Sequence, residues 1–441
     1  MAKSKNPINI GLTFKEEKIV GFAPYSNPHR EDDFQEKIIQ YDGDAPLLTI
    51  APTGAGKGVS SIIPTALTHP DPMVIIDPKG EAHQVTADAR RKMGHQVVCI
   101  DPFDYCGEGS TDGLNPLDLI DVGGKTAADD AKSLAVALSP TTKSEDPFWD
   151  QRSGQLFAGI ILWIAAYLPK KDRHLGYLKK ILNTDEASRM VALAAMATCD
   201  KWDNMVRDSA HILPDAPDKT RGSILTVAQQ HAAFLNSEPV VASLSKSSVS
   251  LESIINGDPV TIYIIMPPER LESHAQLLRL WLTTIITAIA RRRGAAKSRT
   301  LLMVDEAAQL GNLPALKSAL TLMRGYGLTT WTFWQSLSQI QSTYPKDWQT
   351  IIDNAAATQA FGFYNHTFAE AMAKLTGYKN PESLSNMSQD NQLVTLKGKG
   401  AFICQRNNYL TAERYKGLYM DNPMIPANNN NRKVEEIEYD A

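Results

Sequence analysis

Apolar positions along this chain follow two spacings that alternate in a fixed order. Short, uninterrupted apolar runs at residues 47–50, 73–76 and 97–100 are separated by helix-spaced stretches at 59–67 and about 82–93. Runs apolar at every position are buried on both faces, and the intervening helices suit crossovers. The pattern therefore predicts an α/β core with a mainly parallel sheet covered on both sides. From about residue 126 to 239 the strand pattern disappears. Residues 134–138, 148–168, 175–182, 187–197, 205–213 and 224–235 all carry helical spacing, which predicts an all-α domain inserted into the core. The strand pattern returns at 260–266, followed by a long helix over 271–293. Further strands are expected at 300–306, 329–335 and 358–363. A hairpin over 392–396 and 401–404 turns at Gly398-Lys399-Gly400. The expected division is a lead-in hairpin or loop at 1–45, core at 46–125 and 246–420, helical domain at 126–245, and a flexible tail at 421–441.

Composition narrows the class. With 441 residues, 43 % of them hydrophobic, the chain can bury a large core and form two or three domains. A net charge of −4 excludes a uniformly basic nucleic-acid coat, so contact with nucleic acid would need a local basic lining or a ring that concentrates it. Cys99, Cys106, Cys199 and Cys404 lack metal-ligand spacing and suit reduced thiols. The first residues lack the apolar stretch of a signal peptide, and the longest apolar run, 156–168, is too short to span a bilayer. The chain is expected to be soluble.

The chemistry concentrates at residues 46–61, PLLTIAPTGAGKGVSS, where strand, glycine-rich turn, lysine and helix follow one another. That is the context of a phosphate-binding P-loop. Thr53, Gly54, Ala55, Gly56, Lys57, Gly58 and Val59 form the expected cradle. Their backbone N–H groups and the helix N-terminus would face an anion, and Lys57 would reach the β- and γ-phosphates. Two positions depart from the full pattern: Ala51 replaces the first glycine, and Gly58 the closing Ser/Thr whose hydroxyl normally holds Mg²⁺. Ser60, Ser61 or water is expected to fill that role.

Asp305 and Glu306 end the apolar strand TLLMVDE, where Asp305 would hold Mg²⁺ and Glu306 would polarise the attacking water. Gln335 ends the next strand, where an amide could sense the γ-phosphate or orient water. Asp77, followed by Lys79 and Glu81, closes another strand and could touch the metal or its waters. Arg324, in MRGYGL, suits either a helix C-terminus or an arginine finger reaching a neighbouring subunit. The clusters Arg291-Arg292-Arg293 with Lys297 and Arg299, and Lys170-Lys171 with Arg173, read by default as solvated helix ends, with DNA contact as the alternative. Trp331 and Trp334 read as core.

Together these stretches resemble the type IV secretion coupling proteins, ATPases that deliver DNA to conjugation machines. The resemblance covers roughly residues 45–405. It rests on APTGAGKGVSSIIPTAL, VIIDPKGEAHQVT, LNPLD at 114–118, LLMVDEAAQL and RGYGLTTWTFWQSLSQI, in the family's order. Glycine after the P-loop lysine is usual in one branch of that family. The resemblance implies a RecA-like motor core, an all-α domain facing the substrate, ATP and Mg²⁺, and a homo-hexamer with nucleotide between subunits. A monomer is the alternative for the isolated protein. It also implies roles: Lys57 on phosphate, Asp305 and Glu306 on Mg²⁺ and water, Gln335 as sensor and Arg324 as the trans-acting arginine. Asn354 matches a family position without a defined role. Implied partners are DNA bound without sequence preference, relaxase and relaxosome proteins, and secretion-channel components at the inner membrane. Most members carry an N-terminal transmembrane pair that this sequence lacks. Either a partner docks it at the cytoplasmic face of the membrane or the chain is shortened. Two other readings stand beside the motor: a substrate adaptor with regulatory nucleotide binding, and a DNA translocase for packaging or segregation.

Overall fold

The computed structural model of the protein describes residues 6–14, 37–139 and 147–425. Its strands are β1 (Ile8–Leu12), β2 (Ile38–Tyr41), β3 (Leu47–Ile50), β4 (Met73–Asp77), β5 (Gln96–Ile100), β6 (Val260–Ile265), β7 (Thr300–Val304), β8 (Leu328–Trp334), β9 (Ala357–Ala360), β10 (Asn391–Leu396) and β11 (Gly400–Gln405). They form one sheet in the order β2-β1-β11-β10-β9-β3-β8-β7-β4-β6-β5. From β9 to β5 every pairing is parallel, and β10, β11, β1 and β2 extend the sheet by antiparallel pairings. The mainly parallel α/β core is as expected. The strand that follows the helical block, β6, pairs between β4 and β5 and so stitches the two halves of the core together.

Alternation along the strands sorts the two faces. Leu47, Met73, Ile75, Met303, Trp331 and Phe333 point to one apolar cluster, which helices α1 (Ile63–Thr68) and α2 (Glu81–Lys92) cover. Leu48, Ile50, Val74, Ile76, Leu302 and Trp334 point to the other. There the cover is the helix Ala275–Ala290 together with α3 (Ala127–Leu138), α4 (Phe148–Tyr167), α5 (Leu175–Asn183), α6 (Glu186–Ala197), α7 (Met205–His211) and α8 (Asp218–His231). The helical block thus follows the expected pattern, but its apolar residues run without a break into the cluster beneath the sheet. Trp281 ties the two layers, donating from Nε1 to Leu114 O at 2.9 Å. Trp331 and Trp334 are fully buried, as core residues.

Local chemistry sets the breaks. Gly80 stands at φ +65° before α2, and a Cβ there would lie 2.4 Å from Cys106 Sγ, so only glycine fits the turn. Asp185 caps α6 by accepting from Ser188 N at 2.9 Å. Among the described residues the four cysteines are free, and no helix is long and apolar enough to cross a membrane. The lead-in supplies β1 and β2, paired with each other at the sheet edge.

Two expectations change. The chain beyond β11 turns back over α1 and α2, with Tyr409 N donating to Val59 O (3.3 Å) and Met420 N to Val85 O (3.0 Å). Part of the expected tail is therefore docked: Asn422 Nδ2 donates to Glu81 Oε1 at 2.6 Å. The acidic run at 435–438 lies outside the described residues. The Arg291-Arg292-Arg293 cluster is only partly a solvated helix end: Arg293 and Lys297 are exposed, but Arg291, Arg292 and Arg299 are not. Arg292 is buried and donates to Ile254 O, Ile255 O and Tyr326 O, while Arg291 pairs with Asp130 at 2.5 Å. Arg299 is likewise turned inward, onto Asp44 O and Arg324 O. Carbonyls left bare where a helix meets a strand edge take these guanidiniums. Lys170 and Lys171 remain exposed beyond α4.

Candidate nucleotide site

At the C-terminal ends of β3, β4, β7 and β8 lies a cavity of about 520 Å³. Ligands of open parallel sheets bind at this edge. The P-loop leaves β3 at Ala51 and turns through Gly54 (φ +79°) and Gly56 (φ +85°), a left-handed pair that glycine adopts without strain. It enters its helix through a wide π-type turn, Gly58–Ile62, closed by Ile63 N on Gly58 O. Thr53, Gly54, Gly56, Lys57, Gly58 and Val59 line the cavity. Ala55 does not. It packs beneath the loop against Ala51 and Phe361 and anchors the turn.

Among the described residues, the N–H groups of Gly54, Gly56, Lys57 and Gly58 find no protein acceptor. Backbone donors left unpaired on one concave turn are costly unless an anion or water takes them. Lys57 Nζ donates to Ala51 O at 3.2 Å and lies 3.4 Å from Glu306 Oε1. Glu306 follows β7 in a left-handed conformation (φ +50°), a strained geometry for a residue with a side chain. Its second oxygen accepts from Gln335 Nε2 at 2.8 Å. The carboxylate is thus held between lysine and glutamine. Asp305 Oδ1 accepts from Glu306 N at 3.0 Å.

Asp305 and Asp77 end strands that neighbour in the sheet. Burial raises Asp305 to about 6, with the Glu306 carboxylate adding to it and Lys57 opposing. Burial likewise raises Asp77 to about 7, with Glu81 and Asp305 adding to it. Their mutual repulsion calls for a cation. Among the described residues no three His, Cys, Asp or Glu side chains converge tightly enough to hold a metal alone. A hard ion that takes most of its shell from phosphate and water, as Mg²⁺ does, matches that donor set. The free N–H cradle and Lys57 match a polyphosphate. The residues present therefore fit ATP with Mg²⁺.

Lys57, Asp77, Asp305, Glu306 and Gln335 thus meet in one place. Arg324 does not join them. It precedes β8 while Gln335 follows it, so the strand's length, roughly 23 Å, separates the two. Its guanidinium pairs with Asp44 at 2.5 Å. Asn354 lies at a helix end, donating to Thr350 O at 2.9 Å. The serines expected to replace the missing hydroxyl face elsewhere: Ser60 Oγ accepts from Arg406 Nε at 2.9 Å, and Ser61 Oγ donates to Gln359 Oε1 at 3.3 Å.

Arg406 escaped the sequence reading. It also donates to Ala55 O (2.6 Å) and Gly56 O (3.1 Å) and stacks on Phe361, clamping the loop from behind. No spacing signal marks it, because it reaches the loop only through the antiparallel end of the sheet. Met424 and Ile425, from the docked C-terminal segment, also line the cavity.

The chain is 28 % identical over 374 residues to the conjugal transfer protein TraG of Escherichia coli, covering 80 % of this chain and 58 % of that one. It is 28 % identical over 322 residues to the protein VirD4 of Rhizobium rhizogenes, covering 69 % and 45 %. The chain spans about half the length of the curated relatives it matches. Among solved structures, the plasmid coupling protein TrwB with a non-hydrolysable ATP analogue superposes with a TM-score of 0.64 at 18 % identity, covering 83 % of this chain and 86 % of that one. VirB4 of Thermoanaerobacter pseudethanolicus superposes with a TM-score of 0.58 at 14 % identity, covering 94 % and 99 %. These likenesses establish the shared fold. The family described as Type IV secretory system Conjugative DNA transfer matches residues 15–380, more than four-fifths of the sequence, and the chain belongs to that family.

Proposed function

We propose that this chain is the ATPase core of a type IV secretion coupling protein, hydrolysing ATP to drive DNA toward a conjugation channel. The observation that carries the reading is the meeting of Lys57, Asp305, Glu306 and Gln335 around a cradle of unpaired backbone N–H groups. Those N–H groups and Lys57 would bind the triphosphate, and Asp305, with Asp77 beside it, would hold Mg²⁺, whose chemistry there would be neutralisation of phosphate charge. A phosphate arriving at Lys57 competes with Glu306 for the ammonium. The carboxylate then turns to the attacking water and accepts its proton, while the Gln335 amide fixes the carboxylate and reports the γ-phosphate.

Arg324, at the far end of β8, serves a neighbouring copy, so full activity needs an assembly, a hexamer in this reading. The substrate is DNA gripped by its backbone without regard to sequence, delivered with a relaxase attached, and the channel partners lie at the cytoplasmic face of the inner membrane. The alternative, an adaptor that uses nucleotide only for regulation, predicts no link between hydrolysis and DNA. The test is ATP hydrolysis by the assembled protein, with and without single- and double-stranded DNA, across a salt series. Stimulation that fades as salt rises is expected, because each neutralised phosphate releases counterions. Hydrolysis indifferent to every DNA form would remove the motor reading.

A further inference from the structure

In the P-loop pattern the residue after the lysine lends its hydroxyl to Mg²⁺. Here that residue is Gly58, and both nearby serines are taken. Ser60 is buried and engaged by two nitrogens of Arg406, at 2.9 and 2.5 Å from Nε and Nη2. Turning it toward the cavity would take from Arg406 Nε, in a half-buried side chain, its acceptor among the described residues. Ser61 is bound to Gln359, on the side of its turn away from the cavity.

One side chain approaches the place the hydroxyl would occupy. A Cβ placed on Gly58 would meet only Glu81, with Oε2 at 3.5 Å, Cδ at 3.9 Å and Oε1 at 4.0 Å. Glu81 is the first residue of α2, so the Gly80 turn fixes its backbone. Asn422 Nδ2 holds Oε1 at 2.6 Å, and Tyr409 OH holds Asn422 in turn at 2.8 Å. Oε2 is left as the oxygen nearest Gly58. Glu81 also lines the same cavity as Lys57, Asp77 and Asp305.

We infer that Glu81 stands in for the P-loop hydroxyl, completing the Mg²⁺ shell of the bound nucleotide either directly or through one of the ion's retained waters, with Asn422 as its positioning residue. The inference rests on the nucleotide reading above and adds a consequence to it. A carboxylate replaces a neutral hydroxyl, so without the ion Glu81 repels the phosphates, and with the ion it attracts them through the metal. Nucleotide binding becomes unusually dependent on Mg²⁺.

The test measures binding of a fluorescent, non-hydrolysable ATP analogue in Mg²⁺ and in EDTA, using the unaltered chain, Glu81→Gln, and Glu81→Gln with Gly58→Ser. Gly58 does not have a left-handed backbone, and its Cβ direction is open apart from Glu81, so serine is accommodated. Mg²⁺ is expected to tighten binding to the unaltered chain by at least about tenfold, and this gain should shrink to about threefold or less in Glu81→Gln. Binding in EDTA should hold or improve. Gly58→Ser should restore the Mg²⁺ gain in the Glu81→Gln background, which a purely structural Glu81 could not explain. An undiminished Mg²⁺ gain in Glu81→Gln overturns the assignment and leaves nucleotide binding intact. So does failure of Gly58→Ser to restore the gain in a variant whose thermal unfolding matches the unaltered chain. If the unaltered chain binds no analogue in either buffer, the nucleotide reading fails as well.

Discussion

The two ends of the parallel strands treat charge in opposite ways. At the N-terminal ends, guanidiniums are buried and saturated: Arg90 donates to Asp71 O and Thr261 Oγ1, and Arg292 to Ile254 O, Ile255 O, Tyr326 O and Thr300 Oγ1. At the C-terminal ends, four P-loop N–H groups lack acceptors among the described residues, and Asp77, Asp305 and Glu306 crowd one another. A saturated arginine holds elements together, because removing it strands several carbonyls. A crowd of like charges beside empty donors opposes folding, and a protein retains it where a ligand will complete it. One edge is built to hold and the other to bind.

Arg324 tests the contrast most sharply, since it sits at the holding edge yet is assigned to catalysis in a neighbour. Arg324→Ala should lower hydrolysis by the assembled protein by about 10³. Its surface pair with Asp44 is worth less than about 1 kcal/mol, so thermal unfolding should barely shift. A large loss of stability with little loss of hydrolysis would return Arg324 to the structural set. The reverse is expected of Arg292. Arg292→Met should cost about 3 kcal/mol or more, seen as a fall in Tm of roughly 3 °C or more, with nucleotide affinity little changed in the protein that remains folded.

The smallest effect concerns the crowded carboxylates. In the fold Asp77 titrates at about 7, against an ordinary 3.8. Its protonated form is therefore favoured by folding, and that contribution is lost as pH rises from about 4 through 7. Asp77→Asn, which keeps an acceptor for His83 N, should stabilise the nucleotide-free protein at pH 8 by about 1–4 °C in Tm and leave it unchanged near pH 4. Equal Tm values at both pH values would show that the repulsion is relieved by other means.

Much of the binding edge was legible in the sequence. The P-loop, Asp305-Glu306 and Gln335 are each local signals, a strand end followed by a polar residue, and parallel topology brings strand ends to one edge whatever their order. Which strand lies beside which was less legible: β6 pairs between β4 and β5 after the crossover through the helical block, and local apolar spacing carries no record of that choice. The role of the arginines at 291–299 was hidden because a run of basic residues after a helix looks alike whether it meets water or bare carbonyls. Arg406, Asn422 and the engagement of Ser60 were out of reach for a third reason. They act across more than three hundred residues of sequence, and side-chain periodicity carries no trace of such contacts.

The proposed mechanism turns on Glu306, whose carboxylate lies between Lys57 and Gln335. The direct measurement is Glu306→Gln, assayed for ATP binding in Mg²⁺ and for hydrolysis in the same preparation. A water-activating Glu306 predicts nucleotide bound at least as tightly as by the unaltered chain, because Lys57 loses a competing carboxylate, together with hydrolysis reduced at least about 100-fold. Retained hydrolysis would contradict it, as would loss of binding and hydrolysis together in a folded protein.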